Sequence, residues 1–284
     1  MSDGAGTAES LLQTVQDSYM ARKDFYYNKA KQEGYRSRAA YKLIQMDEEE
    51  DLFSSGDTVV DLGAAPGGWM QVAAAKVGAS GIVIGVDRQR FSPPENVEAT
   101  VETVRGDLTD PETITTIRSH IPHKTVDVVV SDMAPEMTGE YSLDQARSVH
   151  LATVAFEAAT ELLRPGGHFV VKIFEGRDIA SFRARVADRF DYVGLTSPDA
   201  SRAASSERYI VAKRFINAPV DVGDTLDVTI ESLGREGDGV ATVAGYTLFV
   251  PETDVGETVT VTVDRVTARY GVCSLSPGAQ VTDQ

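Results

Sequence analysis

The chain has 284 residues, 42% hydrophobic and 25% charged, which is enough for a folded core and too apolar for global disorder. Its single cysteine, Cys273, excludes an intrachain disulfide and a cysteine metal cage. The net charge is −16, with 43 acids against 27 bases, and on that figure alone nucleic acid is a poor partner.

The distribution of charge points the other way. Residues 1–8 read as a disordered lead, and a helix is expected from Glu9 to Gln32, stopped by Gly34, with a second from Ser37 to Glu50. From Met20 to Lys42 there are seven bases and two acids, net +5, whereas Pro219 to Gln284 holds three bases and eleven acids, net −8. Tyr19, Phe25, Tyr26, Tyr27, Tyr35 and Tyr41, six of the 21 aromatics, share the basic stretch. Bases interleaved with rings suit phosphate contact plus base stacking, with Arg36 and Arg38 as the expected phosphate contacts. The competing reading is an amphipathic helix that packs its rings and solvates its charges.

From Thr58 onward strands and helices alternate. Strands are expected at Thr58–Leu62, Ile82–Asp87, Val101–Arg105, Val126–Ser131, His168–Phe174, Tyr192–Thr196 and Glu207–Phe215, with helices at Trp69–Lys76, Leu143–Leu163 and Ile179–Arg189. Nearly unbroken apolar strands such as VDVVV are buried on both faces, so the pattern predicts an α/β fold with a mostly parallel sheet. The short link between the last two strands predicts an antiparallel pair at one sheet edge. After Phe215 the segment INAPVDVGD reads as a linker, and short alternating strands then predict a five-stranded β-barrel. The expected domains are residues 1–216 and 217–284.

The first strand runs into GAAPGGW and then a helix, placing Gly63, Gly67 and Gly68 at the carboxyl end of a strand, where open α/β sheets bind ligands. These glycines permit a tight turn and close approach of a ligand. Asp87 and Asp107 end the next two strands, and Asp87 suits ribose hydroxyls. Each alone is equally a turn or cap residue, and Trp69 equally a core residue. Lys172 sits in the middle of the strand HFVVKIF, where an unpaired buried lysine would be very costly. It needs a cavity or an acid, and Asp132, at the end of VDVVVSD, is the natural partner. Lys42 lies in the basic segment and Glu207 opens the final strand; singly, each reads as a salt bridge or a solvated group.

The phrases GYRSRAAYKL, DLGAAPGGWMQ, SDMAP, VVKIF and SSERYIV, with GVD and GD after the second and third strands, resemble the FtsJ/RrmJ family of S-adenosylmethionine-dependent RNA ribose 2′-O-methyltransferases, from about Asp17 to Phe215. The resemblance implies a Rossmann-like seven-stranded sheet whose last strand is antiparallel, with S-adenosyl-L-methionine as cofactor. It places Gly67 and Trp69 on the methionine side, Asp87 on the ribose, Asp107 at the adenine edge and Asp132 at the methionine end. It also makes Lys42, Asp132, Lys172 and Glu207 the catalytic set. The terminal segment resembles a TRAM domain, an RNA-binding β-barrel. An acid-rich surface with only 8 lysines among 27 bases is similar to proteins of salt-loving cells, and a haloarchaeal source is expected.

Methyl transfer from a sulfonium is an in-line displacement in which positioning dominates. The ribose hydroxyl is a weak nucleophile, and a neutral lysine can take its proton. The expected roles are Lys172 as general base, Lys42 as the neighbouring cation holding phosphate or hydroxyl, Asp132 orienting Lys172, and Glu207 orienting Lys42 or the ribose. The acids oppose what Lys42 does to its neighbour. Pyrimidine C5 methylation needs a cysteine nucleophile, and Cys273 lies far away in sequence. Asp132-Met133-Ala134-Pro135 departs from the loop of amino-directed base methylases. The absence of GxGxxG weakens a nicotinamide-dependent reading.

The expected substrate is a uridine of large-subunit (23S) ribosomal RNA, free or within the subunit. The alternatives are the transfer-RNA anticodon loop and a non-catalytic ribosome-assembly factor, against which the complete charged set argues. With no stretch of about 18 apolar residues and no secretory pattern at the N-terminus, a cytoplasmic monomer without metal or membrane contact is expected.

Overall fold

A computed structural model of the chain describes residues 25–121, 125–201 and 206–276. Tyr19, Arg22, Lys23 and the helix start expected at Glu9 lie outside them.

Residues 25–33 form helix α1, which ends at Gly34 with φ +79°, a conformation glycine adopts without strain. Helix α2 spans Ala40–Glu50, three residues shorter at its start than the sequence suggests. Strand β1 is Thr58–Leu62, α3 Gly68–Val77, β2 Ile82–Asp87 and β3 Thr100–Arg105. Helix α4 spans Pro111–Ser119, β4 Val126–Ser131, α5 Tyr141–Leu162, β5 Leu163–Phe174, α6 Ile179–Ala187, β6 Phe190–Thr196 and β7 Glu207–Phe215.

Strand β5 begins five residues earlier than expected because Leu163 pairs with Val126 before the register shifts. Helix α4 is additional to the expected elements, although Asp110 followed by Pro111 marks its start: the Asp110 carboxylate accepts the Glu112 N–H at 3.0 Å.

The first sheet has the order β3-β2-β1-β4-β5-β7-β6, so β7 and β6 neighbour each other at one edge. The pairs β1–β2, β2–β3, β1–β4 and β4–β5 are parallel. Four of the five β1 residues are buried, as the unbroken apolar run requires. The chain leaves β1 toward β2 and β3, then returns to β4 on the other side. The neighbours β1 and β4 therefore mark the switch in strand order, at whose carboxyl ends sheets of this class hold ligands. Register Leu62↔Ser131 sets Gly63 beside Asp132, and Ser131↔Val171 sets Asp132 beside Lys172.

Strands β8 (Thr225–Thr229), β9 (Ser232–Leu233), β10 (Gly239–Val243), β11 (Tyr246–Val250), β12 (Thr258–Val266) and β13 (Tyr270–Leu275) form a second sheet. Its order is β8-β12-β13-β11-β10-β9. The two outer strands are only two residues apart in sequence. Ile230 donates its N–H to Glu257 and Glu231 donates to Val240, each at 2.8 Å. One bent segment thus serves both edges and closes the sheet into a barrel. The five strands expected become six because the first is broken by this corner. Val228, Ile230, Leu248, Val250, Val259, Val261 and Cys273 fill the interior. Burial pushes the Cys273 thiol up to about 11.

Packing divides the chain into two compact units. One runs through Leu163 and takes in His168–Arg183 and Gly194–Val211; the other holds Arg164–Gly167, Ala184–Val193 and the chain from Ala212. Among the described residues no helix is long and apolar enough to cross a membrane.

Candidate active site

The four charged residues that the sequence singles out meet in one network. Lys42 comes from α2, Asp132 follows β4, Lys172 lies on β5 and Glu207 opens β7. Both lysines are 6% exposed. Lys172 donates from Nζ to the Asp132 backbone carbonyl and, at 2.9 Å, to Asp132 Oδ1. Lys42 donates from Nζ to Glu207 Oε1 and, at 3.1 Å, to the Tyr209 hydroxyl.

Tyr209 joins the two ion pairs. Its hydroxyl lies 2.7 Å from Asp132 Oδ1 and also reaches Glu207 Oε1. A phenol has one proton, so it donates to one carboxylate at a time while accepting from Lys42. Burial, then the charges of Asp132 and Glu207, push its ionisation well above the ordinary tyrosine range, so it stays a donor. Burial also pushes the Asp132 carboxyl up, but Lys172, Lys42 and the Tyr209 hydroxyl outweigh it and hold that group below its usual range. Tyr209 does not stand out in the sequence because a tyrosine inside an apolar strand looks like core. The available signal is its place two residues after Glu207, on the same strand face.

The glycine-rich loop is shaped by packing. A Cβ on Gly63 would lie 2.3 Å from Met133 Cγ, one on Gly67 2.8 Å from Arg36 Nη1, and one on Gly68 2.5 Å from Ser37 Oγ. The GYRSR segment and Met133 thus pack closely against these glycines, and any larger side chain there would have to displace Arg36, Ser37 or Met133. Gly63 and Gly67 also have φ of +79° and +103°.

Asp87, at the end of β2, accepts the Ala65 N–H at 3.0 Å and the Gln89 N–H at 2.8 Å. Its carboxylate orders the loop and retains lone pairs for further donors. Asp107 accepts the Thr109 N–H and hydroxyl and pairs with Arg88 at 3.4 Å. The Thr109 bonds and Arg88 hold its carboxyl below the usual range.

Trp69 is 3% exposed, donates its indole N–H to the Ala39 carbonyl at 2.8 Å and packs 5.9 Å from the Tyr209 ring. Its side chain is core, and its backbone lies in the first turn of α3.

Arg36, expected on phosphate, instead spends its guanidinium on backbone carbonyls of Pro66, Ser92 and Pro93. A carboxyl outside the expected set, Asp61 on β1, is 1% exposed with no partner for Oδ2 among the described residues. Burial, then Asp132 and Asp87, push it well above the carboxylate range against a bond from the Met70 N–H. Ionising Asp61 is therefore disfavoured by its burial and by the carboxylates that flank it.

The profile of the FtsJ-like methyltransferase family matches residues 35–215, and that of the TRAM domain matches residues 219–273. The ribosomal RNA large subunit methyltransferase E of Halorubrum lacusprofundi is 58% identical over 252 residues, covering 89% of this chain and 93% of that protein. Its namesake in Halobacterium salinarum is 56% identical over 258 residues, covering 91% and 99%. The crystal structure of a ribosomal RNA methyltransferase from Plasmodium falciparum superposes with a TM-score of 0.56 at 26% identity, covering 64% of this chain and 98% of that one.

Proposed function

Since the chain belongs to the FtsJ-like methyltransferase family, we propose that it methylates the ribose 2′-hydroxyl of a uridine in large-subunit ribosomal RNA. The observation that carries the reading is the buried network in which Tyr209 joins Lys172–Asp132 to Lys42–Glu207, at the strand ends beside the glycine-rich loop.

The residues present fit S-adenosyl-L-methionine. Asp87 offers acceptors for the ribose hydroxyls, and Asp107 suits the adenine edge. The first turn of α3, at Gly67 and Trp69, and Asp132 suit the methionine end. When bound, S-adenosyl-L-methionine supplies an electrophilic methyl group on a sulfonium.

This chain's residues handle the proton and the position. Once the Lys172 ammonium of the resting ion pair has released a proton to solvent, its two remaining N–H bonds are accepted by the Asp132 carbonyl and Oδ1. Its lone pair is left to take the proton of the ribose hydroxyl. Lys42, held by Glu207 and Tyr209, presents positive charge for the adjoining phosphate or the developing alkoxide. Tyr209 keeps both pairs at fixed spacing, which an in-line displacement demands.

We assign residues 1–216 to catalysis and 217–284 to RNA binding, a division supported by the two profile matches. The protein is expected to act as a cytoplasmic monomer, with no metal.

The test is transfer of labelled methyl from S-adenosyl-L-methionine to large-subunit ribosomal RNA, followed by nucleoside analysis. Label in 2′-O-methyluridine is expected. Label on a base, or none, overturns the proposal.

A further inference from the structure

We propose that Arg36 is a positioning residue for the methyl donor, a clamp that sets the two loops bracketing the cofactor, and not a phosphate contact. The inference rests on the functional reading above for the identity of the ligand.

The geometry is specific. Arg36 Nη1 donates to the Pro66 carbonyl at 3.1 Å and also to the Ser92 carbonyl, and Nη2 donates to the Pro93 carbonyl at 2.7 Å. Pro66 belongs to the loop after β1, and Ser92 and Pro93 to the loop after β2. One guanidinium therefore ties together the loops at two neighbouring strand ends, where this sheet class holds its nucleoside.

The backbone reinforces the tie. The Arg36 N–H donates to Gln71 Oε1 at 2.8 Å, and Gln71 Nε2 donates back to the Gly34 carbonyl at 3.0 Å. Gln71 lies in the first turns of α3, so residues 34–36 are pinned to that helix as well. Gly67 and Gly68 leave room for Arg36 and Ser37. The basic segment and the glycine-rich loop are thus one packed unit, although about thirty residues separate them.

The chemistry calls for arginine. A planar fork serves several carbonyls in fixed directions, whereas one ammonium cannot match that pattern. Asp87 holds the same loop from its other side through the Ala65 N–H. Without Arg36 the loops must be ordered when the donor binds. Ordering one residue at that moment costs about tenfold in affinity, so loss of the clamp should weaken binding by about 10- to 100-fold.

The experiment measures S-adenosylhomocysteine binding by calorimetry on the full chain, for wild type, Arg36→Ala and Arg36→Lys, at one salt concentration where circular dichroism shows each folded. Hydrogen exchange at residues 64–68 and 91–94, and the salt dependence of binding to a single-stranded RNA oligonucleotide, accompany it. Expected are wild-type binding, about 10- to 100-fold weaker binding by Arg36→Ala, an intermediate value for Arg36→Lys, faster exchange confined to the two loops, and an unchanged RNA salt slope. Arg36→Lys keeps charge and reach, so it carries the test if the alanine variant does not fold.

Equal affinities in wild type and variants overturn the clamp. So does a lowered melting temperature with affinity unchanged. An RNA salt slope that falls by about 0.7–0.9 with affinity unchanged returns Arg36 to a phosphate. Failure of wild type to bind S-adenosylhomocysteine overturns the functional reading itself, and the clamp with it.

Discussion

Replacing Tyr209 with phenylalanine removes one hydroxyl and keeps the ring that packs 5.9 Å from Trp69. The hydroxyl accepts from Lys42 at 3.1 Å and gives its single proton to Asp132, at 2.7 Å, or to Glu207. Each lysine keeps its own carboxylate in the variant, so no charge is stranded. What is lost is one donated and one accepted bond to charged partners in a fully buried setting. The stability cost should be about 1.5–3 kcal/mol, read by chemical denaturation at fixed salt. Because the two pairs are no longer held at one spacing, kcat should fall by about 10- to 100-fold. KM for RNA and donor should stay within about twofold, since Tyr209 acts through the two ion pairs, and a misplacement felt only in the transition state lowers kcat alone. A variant that loses stability but turns over at the wild-type rate would show that the hydroxyl is structural and that the network needs no bridge.

Lys172→Ala should lower methyl transfer by about 10²–10⁴ while leaving S-adenosylhomocysteine affinity within a few-fold; near-normal turnover at saturating RNA would remove Lys172 from the base role. Asp87→Ala should weaken S-adenosylhomocysteine at least about tenfold, because the ribose acceptor and the Ala65 tether go together; calorimetry showing unchanged affinity would leave Asp87 a turn residue. Burial raises the ionisation of Asp61 in the folded chain well above its value in the unfolded chain. It therefore costs stability increasingly as pH rises from about 4 until the folded group itself ionises. Asp61→Asn can still accept the Met70 N–H, so its advantage over wild type should grow by up to about 1.4 kcal/mol per pH unit. Denaturation midpoints that stay parallel across pH would refute the raised ionisation of Asp61.

Much of the site is legible in the sequence because charge in an apolar strand demands a partner. That logic finds Lys172 in HFVVKIF and pairs it with Asp132, and the structure joins them at 2.9 Å. The same logic applied to TVVDL reaches Asp61, whose buried carboxyl draws on the identical signal. Tyr209 escapes it because a tyrosine carries no charge to flag it; only strand periodicity connects it to Glu207. Arg36 departs from expectation for a different reason. Counting bases finds a cationic segment, but the partner of a guanidinium depends on whether chain carbonyls converge on it, and Pro66, Ser92 and Pro93 converge only after folding. The glycines mark places of close packing, and the structure sets Arg36, Ser37 and Met133 against them. The parallel sheet follows from alternation and apolar runs. The barrel corner at Ile230 and Glu231 does not, because no glycine or proline marks a strand that bends while keeping its hydrogen bonds.

Methylation of a ribose hydroxyl in large-subunit ribosomal RNA, with Lys172 as the base, can be read from the RNA itself. Mass spectrometry would be applied to that RNA from cells lacking the gene, complemented with either wild type or Lys172→Ala. One 2′-O-methyluridine should be lost on deletion, restored by wild type and not by the variant. An unchanged modification map, or restoration by Lys172→Ala, would contradict the assignment.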